Sequence, residues 1–151
     1  MKIYVGADHR GYYFKEKVIN VLTSLHCDVV DLGTHDEALA CDYPKVAYKV
    51  ATEVAKTRNS RGILVCLSGI GQAMAANKVR NAYAALCYNP EAAQLSRQHN
   101  NANILVLSSK FVKPDDIEKI IRVWLNTKFE GGRHRRRFNQ IRKIEEGLKL
   151  N

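Results

Sequence analysis

The sequence has no apolar stretch near the roughly 20 residues that a membrane-crossing helix needs, so an integral helical membrane protein is excluded. Its start, Met1-Lys2-Ile3-Tyr4-Val5-Gly6-Ala7-Asp8, reaches an acid after five uncharged residues. That is too short for the core of an export signal, and a cytoplasmic chain is expected. Cysteine is sparse: Cys27, Cys41, Cys66 and Cys87 lie 14, 25 and 21 positions apart. None of these intervals is zinc-knuckle or redox spacing, and a cytosolic chain of this size has no need of disulfides, so plain thiols are the default. There is no internal repeat, no low-complexity segment, no Walker A motif and no complete GxGxxG.

Acids are also in deficit. Against 24 Lys and Arg stand 15 Asp and Glu, a formal net charge of +9. Such a balance suits polyanions, whether nucleic acid, anionic lipid or phosphorylated small molecules, and where the charge sits decides among them. Lys128 to Lys143 (KFEGGRHRRRFNQIRK) carries seven Lys or Arg and one Glu, +6 in sixteen residues, and leaves +3 for the other 135. The basicity belongs to one short segment.

What is present is an ordinary globular chain of 151 residues, 46% apolar and 26% charged. That length predicts one domain over 1–151, with 128–151 as a basic helical extension. A domain of this size buries roughly 68–70% of its unfolded surface, enough for a core without staples.

Apolar periodicity alternates along the chain. Strands are expected at 2–7, 28–32, 62–67, 82–87 and 104–107, and helices at 12–25, 44–57, 72–78, 90–98, 114–127 and 135–148. Pro44 suits a first helical turn, and the continuously apolar GILVCL of 62–67 suits a strand covered on both faces. The fold class that follows is α/β, a three-layer α/β/α Rossmann-like sandwich around a five-stranded parallel sheet. The last helix follows a Gly131-Gly132 break and carries Phe138, Ile141, Ile144 and Leu148 on one stripe. The sheet already has helices for both faces, so this one is expected to pack on a partner subunit and deliver arginines near a neighbouring site.

In open parallel sheets, ligands bind beyond the carboxyl ends of the strands near the switch point. That directs attention to Asp8-His9-Arg10-Gly11, to Cys66-Leu67-Ser68-Gly69-Ile70-Gly71, and to Asn89 onward. The Ser68–Gly71 turn before a helix offers free backbone N–H groups for a phosphate or a developing oxyanion. Cys66, close to the helix N-terminus, is placed for a lowered thiol pKa, or is simply a small hydrophobe ending a buried strand. Asp8 and His9 can serve as base, acid or phosphate ligand, or as an N-cap and an exposed imidazole. His99-Asn100 reads as a helix C-cap on position alone. Arg133 and Arg137, four apart, would share a helical face and suit two prongs on one phosphate. A solvated basic helix end or a nucleic-acid patch is the other reading.

Six segments, GADHRG (6–11), DYP (42–44), CLSGIG (66–71), AANK (75–78), SRQHN (96–100) and EGGRH (130–134), occur in an order and over a span that resemble the B-type ribose-5-phosphate isomerases, in the wider family with galactose- and allose-6-phosphate isomerases. The resemblance implies an aldose–ketose isomerase with no metal or other cofactor. It implies a homodimer, or a tetramer of such dimers, with a phosphorylated sugar bound at the subunit interface; the short basic tail, its few aromatics and its apolar stripe speak against a nucleic-acid partner, and no membrane partner is expected. It gives Cys66 the proton transfer between C2 and C1, His99 the ring opening, and Asp8 with Asn100 the sugar hydroxyls. His9, Arg133 and Arg137 resemble the phosphate ligands, and the Leu67, Ser68, Gly69, Ile70 and Gly71 backbone the enediolate cradle.

The chain departs from the family in three places. Leu67 replaces a Gly, so either the backbone there is not at positive φ or the pocket is narrower. Gln72 stands where some members carry a Glu base, and Lys110 where many place a phosphate-binding Arg, keeping the charge but losing the fork. The expected reaction interconverts ribose 5-phosphate and ribulose 5-phosphate. A six-carbon phosphosugar such as allose 6-phosphate is the alternative substrate, and a polyanion-binding module the alternative of another class.

Overall fold

The computed structural model describes residues 1–150. Five strands, β1 (Lys2–Ala7), β2 (Asp28–Asp31), β3 (Arg61–Cys66), β4 (Ala84–Leu86) and β5 (Ile104–Ser108), form one sheet in the order β2-β1-β3-β5-β4. Every pairing is parallel. The chain passes from β1 to β2 on one side and then starts β3 on the other side of β1, so a switch point lies between the carboxyl ends of β1 and β3.

The period of two along the strands sorts side chains between two helical layers. Ile3, Val5, Ala7, Ile63, Val65, Leu105 and Leu107 face α1 (Tyr12–Ser24), α4 (Pro90–Gln98) and α5 (Ile117–Asn126) through Phe14, Val18, Leu22, Ala93, Ile120, Ile121 and Trp124. Tyr4, Leu64, Ile104 and Val106 face α2 (Tyr43–Lys56) and α3 (Ile70–Ala76) through Val46, Ala47, Val50, Val54 and Ala76. Each fully buried Val, Leu, Ile or Phe contributes about 1.5–3 kcal/mol relative to exposure. No helix of the described residues is long and apolar enough to cross a membrane.

The sixth helix, α6 (Gly132–Glu145), belongs to neither layer. It crosses the amino end of the sheet, where Phe138 packs edge-on to Tyr83 at 4.7 Å and to Phe129 at 6.0 Å. The stripe read from sequence is therefore split. Phe138 is used within the chain, while Ile141 and Ile144 stay exposed, as does Leu148 beyond the helix. The helix stops at Glu145 because Gly147 takes φ +74 and donates its N–H to Ile144 O. It also starts three residues before the expected Arg135, with both Gly131 (φ +73) and Gly132 (φ +52) at positive φ where the chain enters it.

Candidate active site

At the switch point the carboxyl ends of β1 and β3 bring two distant residues together. Asp8 leaves β1 in extended conformation and caps a 3₁₀ turn over His9–Gly11, its Oδ1 accepting from Gly11 N at 3.0 Å. Its other oxygen, Oδ2, accepts from the Cys66 thiol at 3.0 Å across 58 residues of sequence. The turn can lie this close to β3 only with glycine at position 11, where a Cβ would stand 2.6 Å from Val65 O. Asp8 and Cys66 are both nearly buried, at 5% and 8% exposed.

After Cys66 the chain makes a sharp turn into α3. Gly69 takes φ +81, and a Cβ there would stand 2.5 Å from Leu86 Cδ1, so only glycine serves. Leu67 is absent from the residues at positive φ, which settles its departure in favour of an ordinary backbone. The loop after β5 is tied to the same turn, since Ser109 N donates to Cys66 O at 2.9 Å and Lys110 N to Leu67 O at 3.1 Å. The Tyr43 ring lies so close to Gly71 that a Cβ on it would meet Cε2 at 2.6 Å. His9 is half-buried, its Nδ1 accepting from Cys41 N at 3.3 Å.

The thiol does not have the lowered pKa expected from a nearby helix N-terminus. Burial, then the hydrogen bond and charge of Asp8, push Cys66 up from 9.0 to about 11, outweighing the Gly69 and Leu67 N–H groups that favour the thiolate. Burial disfavours the charged form, and the adjacent carboxylate holds the proton on sulfur. In the single chain this is a thiol–carboxylate pair, with the proton already aimed at Asp8.

The remaining candidates lie elsewhere. Because β4 and β5 are parallel, α4 must run back toward the amino end of the sheet, and His99 and Asn100 emerge there rather than beside Cys66. The four steps of β5 from Ile104 to Ser108 put roughly 13 Å of strand between the two ends. His99 stacks face to face on His134, ring centroids 4.1 Å apart and planes within 2°. Glu130 Oε2 is 3.5 Å from His134 Nε2, and Arg133 Nε donates to the same nitrogen at 3.4 Å. Burial, with His99 and Arg133 alongside, pushes the His134 imidazolium pKa down, favouring the neutral ring. Arg133 and Arg137 are exposed on α6.

The structure thus collects the expected residues into two halves. Asp8, His9, Cys66, the Leu67–Gly71 turn and Lys110 gather at the carboxyl end, and His99, Asn100, Arg133 and Arg137 at the amino end. The sequence reading missed Tyr43, His134 and Glu130. All three sit inside quoted motifs, and the i, i+4 spacing of Glu130 and His134 was the available signal. His99, Glu130 and His134 have ligand atoms within 4.8 Å of one another, the one such group among the described residues. The donor types suit Zn²⁺, although a cation there would face the Arg133 guanidinium.

Residues 3–141 match the model of the ribose/galactose isomerase family. The ribose-5-phosphate isomerase B of Escherichia coli is 39% identical over 145 residues, 96% of this chain and 97% of the relative. Among solved structures, the chain matches the Clostridium thermocellum ribose-5-phosphate isomerase B with a TM-score of 0.92 and 42% identity, over 97% of this chain and 99% of that one. The Mycoplasma genitalium ribose-5-phosphate isomerase B with bound ribulose 5-phosphate matches with a TM-score of 0.92 and 42% identity, over 96% of each chain.

Proposed function

Because the chain belongs to the ribose/galactose isomerase family, we propose that it interconverts ribose 5-phosphate and ribulose 5-phosphate, in a site completed by a second copy of itself. The reaction moves a hydrogen between adjacent carbons of an open-chain sugar. It needs a base at the C2 proton, donors for the enediolate oxygens and a grip on the distant phosphate.

The observation that carries the reading is the Cys66–Asp8 pair at 3.0 Å beside the Gly69 turn. With the thiol up at about 11, the sulfur becomes a base by passing its proton to Asp8 Oδ2. The thiolate then takes the C2 proton of the aldose, and the electron pair moves toward O1. The hydroxyl proton on O2 passes to O1, Cys66 returns its proton to C1, and Asp8 gives the first proton back to sulfur. Protons balance over the cycle. Asp8, together with Asn100 supplied from the amino end of a second copy, holds the sugar hydroxyls, and the backbone of Leu67–Gly71 receives the enediolate oxygens. His9 and Lys110 reach the phosphate from the Cys66 side.

His99 opens the sugar ring, and Arg133 with Arg137 clamps the phosphate. The opposite-end placement supports taking these from the partner subunit, with His134 and Glu130 behind His99. The exposed Ile141, Ile144 and Leu148 supply an apolar contact for a homodimer. Four free cysteines support a reducing, cytoplasmic setting.

The test is turnover of ribose 5-phosphate with EDTA present, alongside allose 6-phosphate, for the wild type and Cys66→Ala. The wild type should prefer the five-carbon substrate. The variant should lose about 10²-fold or more in kcat while binding a phosphosugar within a few fold. Retention of more than roughly a tenth of kcat would refute Cys66 as the base.

A further inference from the structure

Under the amino end of the sheet, between the first residue of β3, the segments leading into β4 and β5, and α6, lies a cleft of about 480 Å³. Clefts of this size take small organic ligands. Four arginines line it, Arg58, Arg61, Arg97 and Arg142, and no Asp or Glu does. Among the described residues none of the four is in an ion pair. The nearby carboxylate of Glu145 is already engaged, accepting from Asn81 N at 2.7 Å and from Tyr83 Oη at 3.0 Å.

Two of the arginines are held in place from behind. Arg61 donates to Trp124 O at 2.9 Å and Leu125 O at 3.0 Å, with its guanidinium 5.0 Å from the Trp124 ring. Arg97, 8% exposed, donates one N–H to Ala102 O at 2.6 Å, and its Nε is buried with no partner. Burial and the neighbouring Arg61 push Arg97 down to about 10. Two partly desolvated like charges, one with an orphan donor, are costly unless an anion joins them. Tyr83 and Phe138 add ring edges to the wall.

We propose that this cleft binds a small organic phosphate, at a second site that shares no residue with the isomerase machinery. The exposed guanidinium forks of Arg58 and Arg142 suit phosphate oxygens, and Arg61 and Arg97 add fixed positive charge behind them. The inference does not depend on the isomerase reading, because none of the six residues it uses is assigned to that reaction.

Adenosine 5′-monophosphate, with inorganic phosphate and a short single-stranded oligonucleotide as comparison probes, is titrated calorimetrically into the full chain. Three proteins are compared: the wild type, Arg58→Ala/Arg142→Ala and Arg133→Ala/Arg137→Ala. The expected result is a nucleotide affinity weakened about tenfold or more by Arg58→Ala/Arg142→Ala, with ribose 5-phosphate turnover unchanged, and kept in Arg133→Ala/Arg137→Ala. The proposal is overturned if the wild type binds no nucleotide at millimolar concentration, or if binding disappears with Arg133 and Arg137. It is equally overturned if Arg58→Ala/Arg142→Ala binds like the wild type. An oligonucleotide that binds through these arginines more tightly than the mononucleotide, with a steep salt slope, would make the ligand a nucleic acid and overturn the small-phosphate assignment.

Discussion

Replacing Asp8 by Asn separates two properties of Cys66 that usually change together, reactivity as a nucleophile and competence in turnover. The substitution is nearly isosteric and keeps an oxygen for Gly11 N, which Asp8 Oδ1 accepts at 3.0 Å, so the turn over His9–Gly11 should survive. What it removes is the charge 3.0 Å from sulfur. The thiol stands at about 11 against an ordinary 9.0, with burial the largest cause and Asp8 the next. Deleting the carboxylate while keeping the burial should lower the thiol pKa; each unit recovered is about 1.4 kcal/mol, or a tenfold gain in thiolate at pH 8. A thiolate of lower pKa is intrinsically a weaker nucleophile, which trims the gain in alkylation rate to roughly three- to fourfold for each unit recovered. Turnover should move the other way, by about 10²-fold or more, because no acceptor remains for the S–H proton. Iodoacetamide labelling read peptide by peptide distinguishes Cys66 from Cys27, Cys41 and Cys87. The sign follows from the raised pKa: alkylation of the wild type should climb until pH nears 11, and that of the variant should level off earlier. Slower labelling in Asp8→Asn, or kcat within about threefold of wild type, would refute the assignment of Asp8 as proton holder.

Three further outcomes follow from the same geometry. Cys66→Ala and His99→Asn chains, each inactive alone, should regain about a quarter of wild-type activity when mixed in equal amounts and allowed to exchange, because half of the dimers then contain one intact site; no recovery despite exchange would mean that His99 and Cys66 act within one chain. Ile144→Glu places a charge at an exposed apolar position of α6, and light scattering should find it shifted toward monomer with turnover falling in parallel. Gly69→Ala forces a Cβ to 2.5 Å from Leu86 Cδ1 at φ +81, which should cost about 1–3 kcal/mol in denaturant unfolding; an unchanged midpoint would show that the turn relaxes freely.

Much of the fold was legible because its signals are local. A strand buried on both faces reads as a continuous apolar run, and GILVC within β3 is one. Boundaries were missed where a single glycine conformation decides them. Gly69 at φ +81 lets Ile70 and Gly71 enter α3 at once, two residues ahead of the expected start at Gln72. The electrostatics of Cys66 were not legible, since proximity to a helix N-terminus is written in the sequence next to the thiol, whereas Asp8 lies 58 residues away. The local term favours the thiolate, and the distant carboxylate with the burial outweighs it.

The position of His99 follows from chain connectivity. Two parallel neighbours joined by one helix require that helix to run against the strands, so whatever ends α4 must lie at the amino end of the sheet. The switch-point rule applies to Asn89, where the chain leaves β4, and stops applying nine residues later at Gln98. Once His99 is placed by connectivity, the rest follows. Its ring stacks on His134, His134 lies on α6, and α6 carries Arg133 and Arg137, so the groups proposed for ring opening and phosphate binding travel as one body. That body cannot meet Cys66 of its own chain without unmaking β5, which is fully buried along its length. A second copy needs no such rearrangement: α6 already offers exposed Ile141 and Ile144 on the helix that carries the arginines. The basic segment then divides its charge among separate tasks, with Arg133 beside His134, Arg135 5.4 Å from the Phe129 ring, and Arg142 at the arginine-lined cleft. A positive charge that reads as a uniform polyanion surface in one dimension is divided, on a folded helix, among an imidazole, an aromatic ring and a cleft.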